Sequence, residues 1–186
     1  MRVITGQFRG RRLSTIKNHV VRPATNRVKQ TVFDVLSTRV DLTGVNVLDL
    51  FAGSGSLGIE AISRGASHVD FVEHMGDAAD CIEENLAALG CARSARVWRS
   101  DAWRFIDRPG QVYELIFADP PYDFAQTRDI PTRIFSHDLL ARNGYLVVEH
   151  AKGVRFQTTG QFTTGPEKRF GRTLVTFFTH PAATTT

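Results

Sequence analysis

Val45-Asn46-Val47-Leu48-Asp49-Leu50-Phe51-Ala52-Gly53-Ser54-Gly55-Ser56-Leu57-Gly58 decides the fold class of this chain. Val45 to Leu50 reads as a buried strand, a short apolar run bounded by turn residues. Gly53, Gly55 and Gly58 satisfy the pattern G-x-G-x-x-G. Glycines there permit a tight turn and let a ligand lie against the main chain. The periodicity that follows predicts a helix over Ser56 to Arg64, stopped by Gly65. A strand, a glycine loop and a helix in that order open an α/β domain.

The alternation continues downstream. Val69 to Val72 reads as a strand ending at Glu73. Ala79, Ile82, Leu86 and Leu89 form the stripe of a helix over Gly76 to Leu89, with Gly90 as its end. Ala95 to Arg99 is a third strand, ending near Asp101, and Leu115 to Ala118 a fourth. A helix is expected over Thr127 to Leu140, then a fifth strand at Tyr145 to Glu149. Near-continuous apolar strands alternating with helices imply a parallel sheet covered on both faces. Val154 to Thr163 and Thr173 to Thr179 have no full helix between them and are expected to pair antiparallel at the sheet edge. The last residues, 181–186, are expected to be disordered.

Upstream, residues 1–44 differ in character. Residues 1–21 are expected to form a small hairpin, with Arg2 to Thr5 and Arg11 to Ser14 paired across a turn near Phe8-Arg9-Gly10. Val28, Val32, Val35 and Leu36 predict an amphipathic helix over Asn26 to Thr38. This segment carries nine Lys/Arg against two acids, a net +7, while the remainder of the chain is −3. A basic arm on a slightly acidic body suits a polyanion partner. An unevenly charged, solvated surface is the alternative. The domain division read here is 1–44 for a basic extension, 45–180 for the α/β domain and 181–186 for the tail.

At 186 residues the chain can bury a sizeable core, and no apolar run approaches a membrane span. The N-terminus lacks the apolar stretch of a signal peptide. Cys81 and Cys91 are not spaced as a metal or redox pair. They read as reduced structural thiols of a cytoplasmic protein. No His/Cys cluster suggests a metal.

The glycine loop alone fits NAD(P) as well as S-adenosylmethionine. Asp49, placed inside the strand end, faces a cationic amino-acid group better than a pyrophosphate. Glu73 ends the next strand, where its carboxylate can accept from both ribose hydroxyls. Asp101 can accept from an adenine amino group. The chain has no room for the second domain usual in dehydrogenases. Adenosylmethionine is therefore the favoured cofactor. Phe51, Ala52, Gly53, Ser54 and Gly55 form its loop, and Asp49, Glu73, His74, Asp101 and Ala102 complete the set.

Asp119-Pro120-Pro121-Tyr122 ends the fourth strand. Two prolines cannot continue a central strand, so a carboxylate, a fixed carbonyl and a ring are left at its carboxyl end. Ligands of open α/β sheets bind at that edge. An exocyclic amine is a poor nucleophile, because its lone pair is delocalised into the ring. Asp119 Oδ and the Pro120 carbonyl can accept its protons, and Tyr122 can stack on the base. Catalysis then comes from orientation and preorganised electrostatics. Such a base must be splayed out of its stack. Arg9, Arg11, Arg12, Arg22, Arg27 and Lys29 are candidates to grip the surrounding phosphates. Arg169 and Arg172 are left open between an RNA contact and a solvated hairpin edge. Trp98 and Trp103 read as core, and His68, His137, His150 and His180 as non-catalytic.

The chain resembles the RsmD-like family of class I adenosylmethionine-dependent methyltransferases, which act on guanine N2 of small-subunit ribosomal RNA. The resemblance rests on Gly6 to Arg11, Arg22 to Lys29, Asp49 to Gly58, Asp119 to Tyr122 and Arg169 to Thr173. Ala24 stands between Pro23 and Thr25, where family members often show Arg-Pro-Thr. The resemblance implies a Rossmann-like, mostly parallel seven-stranded sheet with an antiparallel C-terminal hairpin. It implies 16S RNA as partner, within the small subunit or its precursor, and the guanine at position 966 as target. Amino methylation of adenine N6 or cytosine N4 in DNA uses the same four-residue motif and is the alternative. A protein-glutamine methyltransferase and a non-catalytic RNA-binding factor are further alternatives. No signal points beyond a monomer.

Overall fold

The computed structural model describes residues 1–16, 25–108, 110–157 and 160–182. Its strands are β1 (Asn46–Leu50), β2 (His68–Glu73), β3 (Ala95–Arg99), β4 (Tyr113–Ala118), β5 (Leu140–Ala151), β6 (Thr163–Phe170) and β7 (Thr173–Thr179). They form one sheet in the order β3-β2-β1-β4-β5-β7-β6. The first five pair in parallel, and β7 runs antiparallel to both β5 and β6. This is the arrangement that the resemblance implies. The helices are α1 (Thr25–Ser37), α2 (Ser56–Ser63), α3 (Gly76–Leu89), α4 (Ala102–Ile106) and α5 (Ile130–Ser136).

The strand order reverses beside β1. The chain winds outward to β2 and β3, then returns to place β4 on the other side. Leu50 pairs with Ala118, so β1 and β4 end side by side. The glycine loop and the Asp-Pro-Pro-Tyr segment therefore leave the sheet at its switch point, where open α/β sheets bind ligands.

Alternation along β1 separates two cores. Val47 belongs to one with Ile59, Phe71 and Phe117. Leu48 and Leu50 belong to the other with Phe105, Ile116, Ile134 and Phe178. The N-terminal extension is part of the first: Val3, Leu13, Val28, Phe33 and Leu36 are buried in it. The Phe33 ring lies 5.6 Å from that of Phe117.

Glu60 of α2 fastens this extension. Its carboxylate accepts the Ile4 and Thr5 N–H groups at 2.8 and 2.9 Å. Gly6 passes so close to α2 that a Cβ would lie 1.7 Å from the Ser63 carbonyl oxygen, and its φ is +83°. Only glycine fits there. The expected pairing forms: Arg2 bridges Arg12 antiparallel, the Val3 N–H donates to the Arg11 carbonyl at 3.0 Å and the Leu13 N–H to the Met1 carbonyl at 3.0 Å. Lys29 corrects the list of RNA contacts. It is 1% exposed, donates to the Arg2 carbonyl at 2.8 Å and pairs with Glu60 at 3.2 Å. A side chain so enclosed cannot reach a phosphate. Arg22, residues 17–21 of the expected hairpin and residues 183–186 of the tail lie outside the described residues.

Three elements differ from expectation. The helix expected over Thr127 to Leu140 is a 3-10 turn, Thr127–Asp129, followed by the short α5. Asp138 then takes a left-handed conformation, φ 52°, and β5 begins two residues later. The first tail strand is Thr163–Phe170, not Val154 to Thr163. The apolar side chains that suggested the earlier start plug the core from a loop: Phe156 and Phe162 pack 4.9 and 5.5 Å from Phe178. Helix α4 was not expected. The Asp101 side chain caps it by accepting from Trp103 and Arg104 N–H, the usual way a short helix is nucleated.

Candidate active site

Asp49 lies at the end of β1, 2% exposed, and its Oδ2 accepts the Gly58 N–H at 2.9 Å. Gly58 admits this contact because α2 lies against the sheet. A Cβ there would sit 2.3 Å from the Phe71 ring. Burial pushes the Asp49 carboxyl up to about 8; the Gly58 hydrogen bond opposes this, while Asp119 and Glu73 add to it. A buried acid beside two further acids favours a cationic ligand group.

Glu73 ends β2 and is also buried. Its Oε2 accepts from Gly53 N–H at 2.9 Å and its Oε1 from Met75 N–H at 2.8 Å. Oε2 keeps an acceptor site for a hydroxyl, while His74 Nδ1 lies 3.3 Å from Oε1. The first of these bonds ties the glycine loop to the neighbouring strand. Asn85 holds the same loop from α3, donating to the Ser54 carbonyl at 3.1 Å. Gly55 N–H closes the turn on the Ala52 carbonyl at 2.8 Å.

A cavity of about 340 Å³ opens at this edge, lined by Phe51, His74, Asp101 and Ala102 among others. That volume lies in the range of small-molecule sites. Asp101 uses Oδ1 for its helix cap. Phe51, at φ 57°, holds a left-handed conformation uncommon for a non-glycine residue. Its ring meets Phe124 at 5.1 Å, and Phe124 meets Trp103 at 5.6 Å. The acids, a wall of rings and a loop of close-lying backbone together fit adenosylmethionine. They do not suit a pyrophosphate.

Pro121 lines this cavity and also a second, narrow cleft. The cleft, about 10 Å³, is bounded by Asp119, Pro120, Tyr122, Glu149 and His150. Asp119 is exposed, its N–H directed at the Leu50 carbonyl. Tyr122 is 41% exposed, and its hydroxyl bonds that of Thr173 at the start of β7. His150 is held by Thr176 and by the Ala151 carbonyl, and burial lowers its pKa.

Arg9, Arg12 and Arg27 are exposed on the extension. Arg11 is exposed as well and reaches the Ala88 carbonyl at the end of α3. Sequence reasoning missed Phe124 and the part played by Thr173. Phe124 follows the proline pair by three residues, and its aromatic character was the available signal. Thr173 closes a motif that carries the resemblance, but its bond to Tyr122 joins residues 51 positions apart and has no local signal.

The model of the family described as Conserved hypothetical protein 95 matches residues 1–179. The chain is also 33% identical to the ribosomal RNA small subunit methyltransferase D of Haemophilus influenzae over 174 residues, 92% of this chain and 89% of that one. The chain belongs to this family. Another relative, YlbH of Bacillus subtilis, is 35% identical over 182 residues, covering 96% of this chain and 98% of its own. Among solved structures, yhhF of Escherichia coli superposes with a TM-score of 0.87 at 31% identity, covering 98% of each chain. The family member described here thus has the Rossmann-like class I methyltransferase fold, with the C-terminal strands antiparallel.

Proposed function

We propose that this chain methylates the exocyclic N2 of a guanine in 16S ribosomal RNA, with adenosylmethionine as methyl donor. The relatives named for small-subunit rRNA methylation support the RNA class. One observation carries the chemistry: Pro121, inside the Asp119 to Tyr122 segment, lines both the cavity and the surface cleft, so the two adjoin at that segment. A donor in one and an acceptor in the other meet there.

Adenosylmethionine supplies an electrophilic methyl group. The chain supplies the rest. Asp49 suits the donor's ammonium group, and Glu73 and Asp101 suit its ribose and adenine. Asp119 and the Pro120 carbonyl accept the two N–H protons of the target amine, which fixes the nitrogen and directs its lone pair. The exposed face of Tyr122 stacks on the base. The narrow cleft beside Tyr122 is consistent with a guanine presented at this ring. Orientation and fixed dipoles provide most of the rate. Arg9, Arg11, Arg12 and Arg27 hold the phosphates.

The guanine at position 966, a cytoplasmic location and a monomeric state complete the reading. Mass spectrometry of modified nucleosides from cells with and without the gene tests it. Loss of N2-methylguanosine from small-subunit RNA is expected. Loss of N6-methyladenine from DNA, or no change, would refute it.

A further inference from the structure

Charge is distributed along the chain in three blocks. Residues 1–44 are +7, residues 45–149 carry nine Lys/Arg against sixteen acids, and residues 150–186 carry five Lys/Arg against one. The third block is therefore basic again, at +4, after a middle of −7. Its cations are Lys152, Arg155, Lys168, Arg169 and Arg172.

The topology gathers them at one place. β5 ends at Ala151, which pairs with Thr173, and Phe170 pairs with Thr173 from the other side. Arg172 lies in the two-residue turn, beside Gly171 at φ 62°. The Lys152 N–H donates to the Arg172 carbonyl at 3.0 Å, which holds the loop after β5 against the turn. This is the carboxyl edge of the parallel strands, the edge that carries Asp119 to Tyr122. The Tyr122 hydroxyl bond to Thr173 joins the two directly.

All five cations are exposed, and none forms a salt bridge among the described residues. An edge strand keeps charges to discourage pairing with other strands. That alone does not require them to cluster beside the cleft, or to stay unpaired in an otherwise acidic body. Exposed cations without an ion-pair partner among the described residues, on a turn joined to an exposed ring, are the combination that single-stranded nucleic acid takes.

We propose that the turn end of β6–β7, with Lys152 and Arg155, is a second RNA-backbone surface. It grips the strand that carries the target base beside the cleft, in addition to the N-terminal arm. The inference rests on the rRNA reading above. The arm alone would anchor the RNA at one point. A second set of phosphate contacts fixes the register of the nucleotide at Tyr122, since backbone contacts position while base contacts specify.

The experiment is a salt titration of binding with the full chain and its K168A/R169A/R172A variant. Naked 16S RNA and isolated small subunits are the two probes. Single-stranded contacts contribute about 0.7 each to the log–log slope, so the variant should lose about two units on both probes. The R169K/R172K variant, which keeps the charge, should retain the wild-type slope. Thermal melting reports whether the hairpin still folds. An unchanged slope beside tight wild-type binding overturns this inference alone. So does a loss confined to the subunit, which would assign the patch to a ribosomal protein. Failure of the wild-type chain to bind either probe overturns the rRNA reading instead.

Discussion

Asp49 is a residue whose chemistry lies far from its ordinary state. Its carboxyl is raised to about 8 by burial, with Asp119 and Glu73 contributing. The folded chain therefore holds a proton between about pH 4 and pH 8 that the unfolded chain has released. Stability contributed at this residue falls as pH rises through that window and levels above it. Denaturant titrations should show the fall, and Asp49→Asn should flatten it. A cationic ligand group reverses the shift and expels the proton. Calorimetry at about pH 7, in buffers of different ionisation enthalpy, should register proton release on adenosylmethionine binding, and Asp49→Asn should abolish it. Thr173 poses a simpler question. Its hydroxyl holds Tyr122, so Thr173→Val should lower turnover by roughly 2- to 12-fold, the worth of one hydrogen bond at 0.5–1.5 kcal/mol. Thr173→Ser should restore it. Equal rates for Val and Ser would free Tyr122 of this tether.

At the scale of elements, Glu60 joins the N-terminal extension to α2. It is fully buried and serves Ile4, Thr5, Lys29 and Arg64 together. Removing one partner of a buried pair leaves a bare charge, so Glu60→Ala should cost about 3–5 kcal/mol in denaturant unfolding. The Glu60→Leu/Lys29→Met pair should cost less than the two single changes summed. The sequence signalled most elements because β1, β2 and β4 are apolar on both faces. It did not signal β6, whose side chains are mostly exposed and which carries Pro166 beside its register shift. Pro is tolerated on such an edge, and without an apolar face an edge strand has no period to read. Lys29 failed for a related reason. Its position on the buried face of α1 was legible, but its partner Glu60 lies 31 residues away, and nothing local signals that pairing.

Across the whole molecule, an acidic middle lies between two basic ends, and the sheet brings the glycine loop and the Asp119 to Tyr122 segment to one edge. The loops were legible because glycine and proline mark the ends of β1 and β4. Their adjacency was not, since it depends on strand order. The cavity and the cleft come to adjoin at Pro121 only because Leu50 pairs with Ala118. The proposed reaction is placed at that junction, with Asp119 assigned to the target amine. The most direct measurement pairs single-turnover methylation of small-subunit RNA by the Asp119→Ala variant with calorimetric binding of adenosylmethionine to it. Methylation should vanish while cofactor affinity stays at the wild-type value. Normal methylation, or loss of cofactor binding with the fold intact, would contradict the assignment of Asp119 to the target amine.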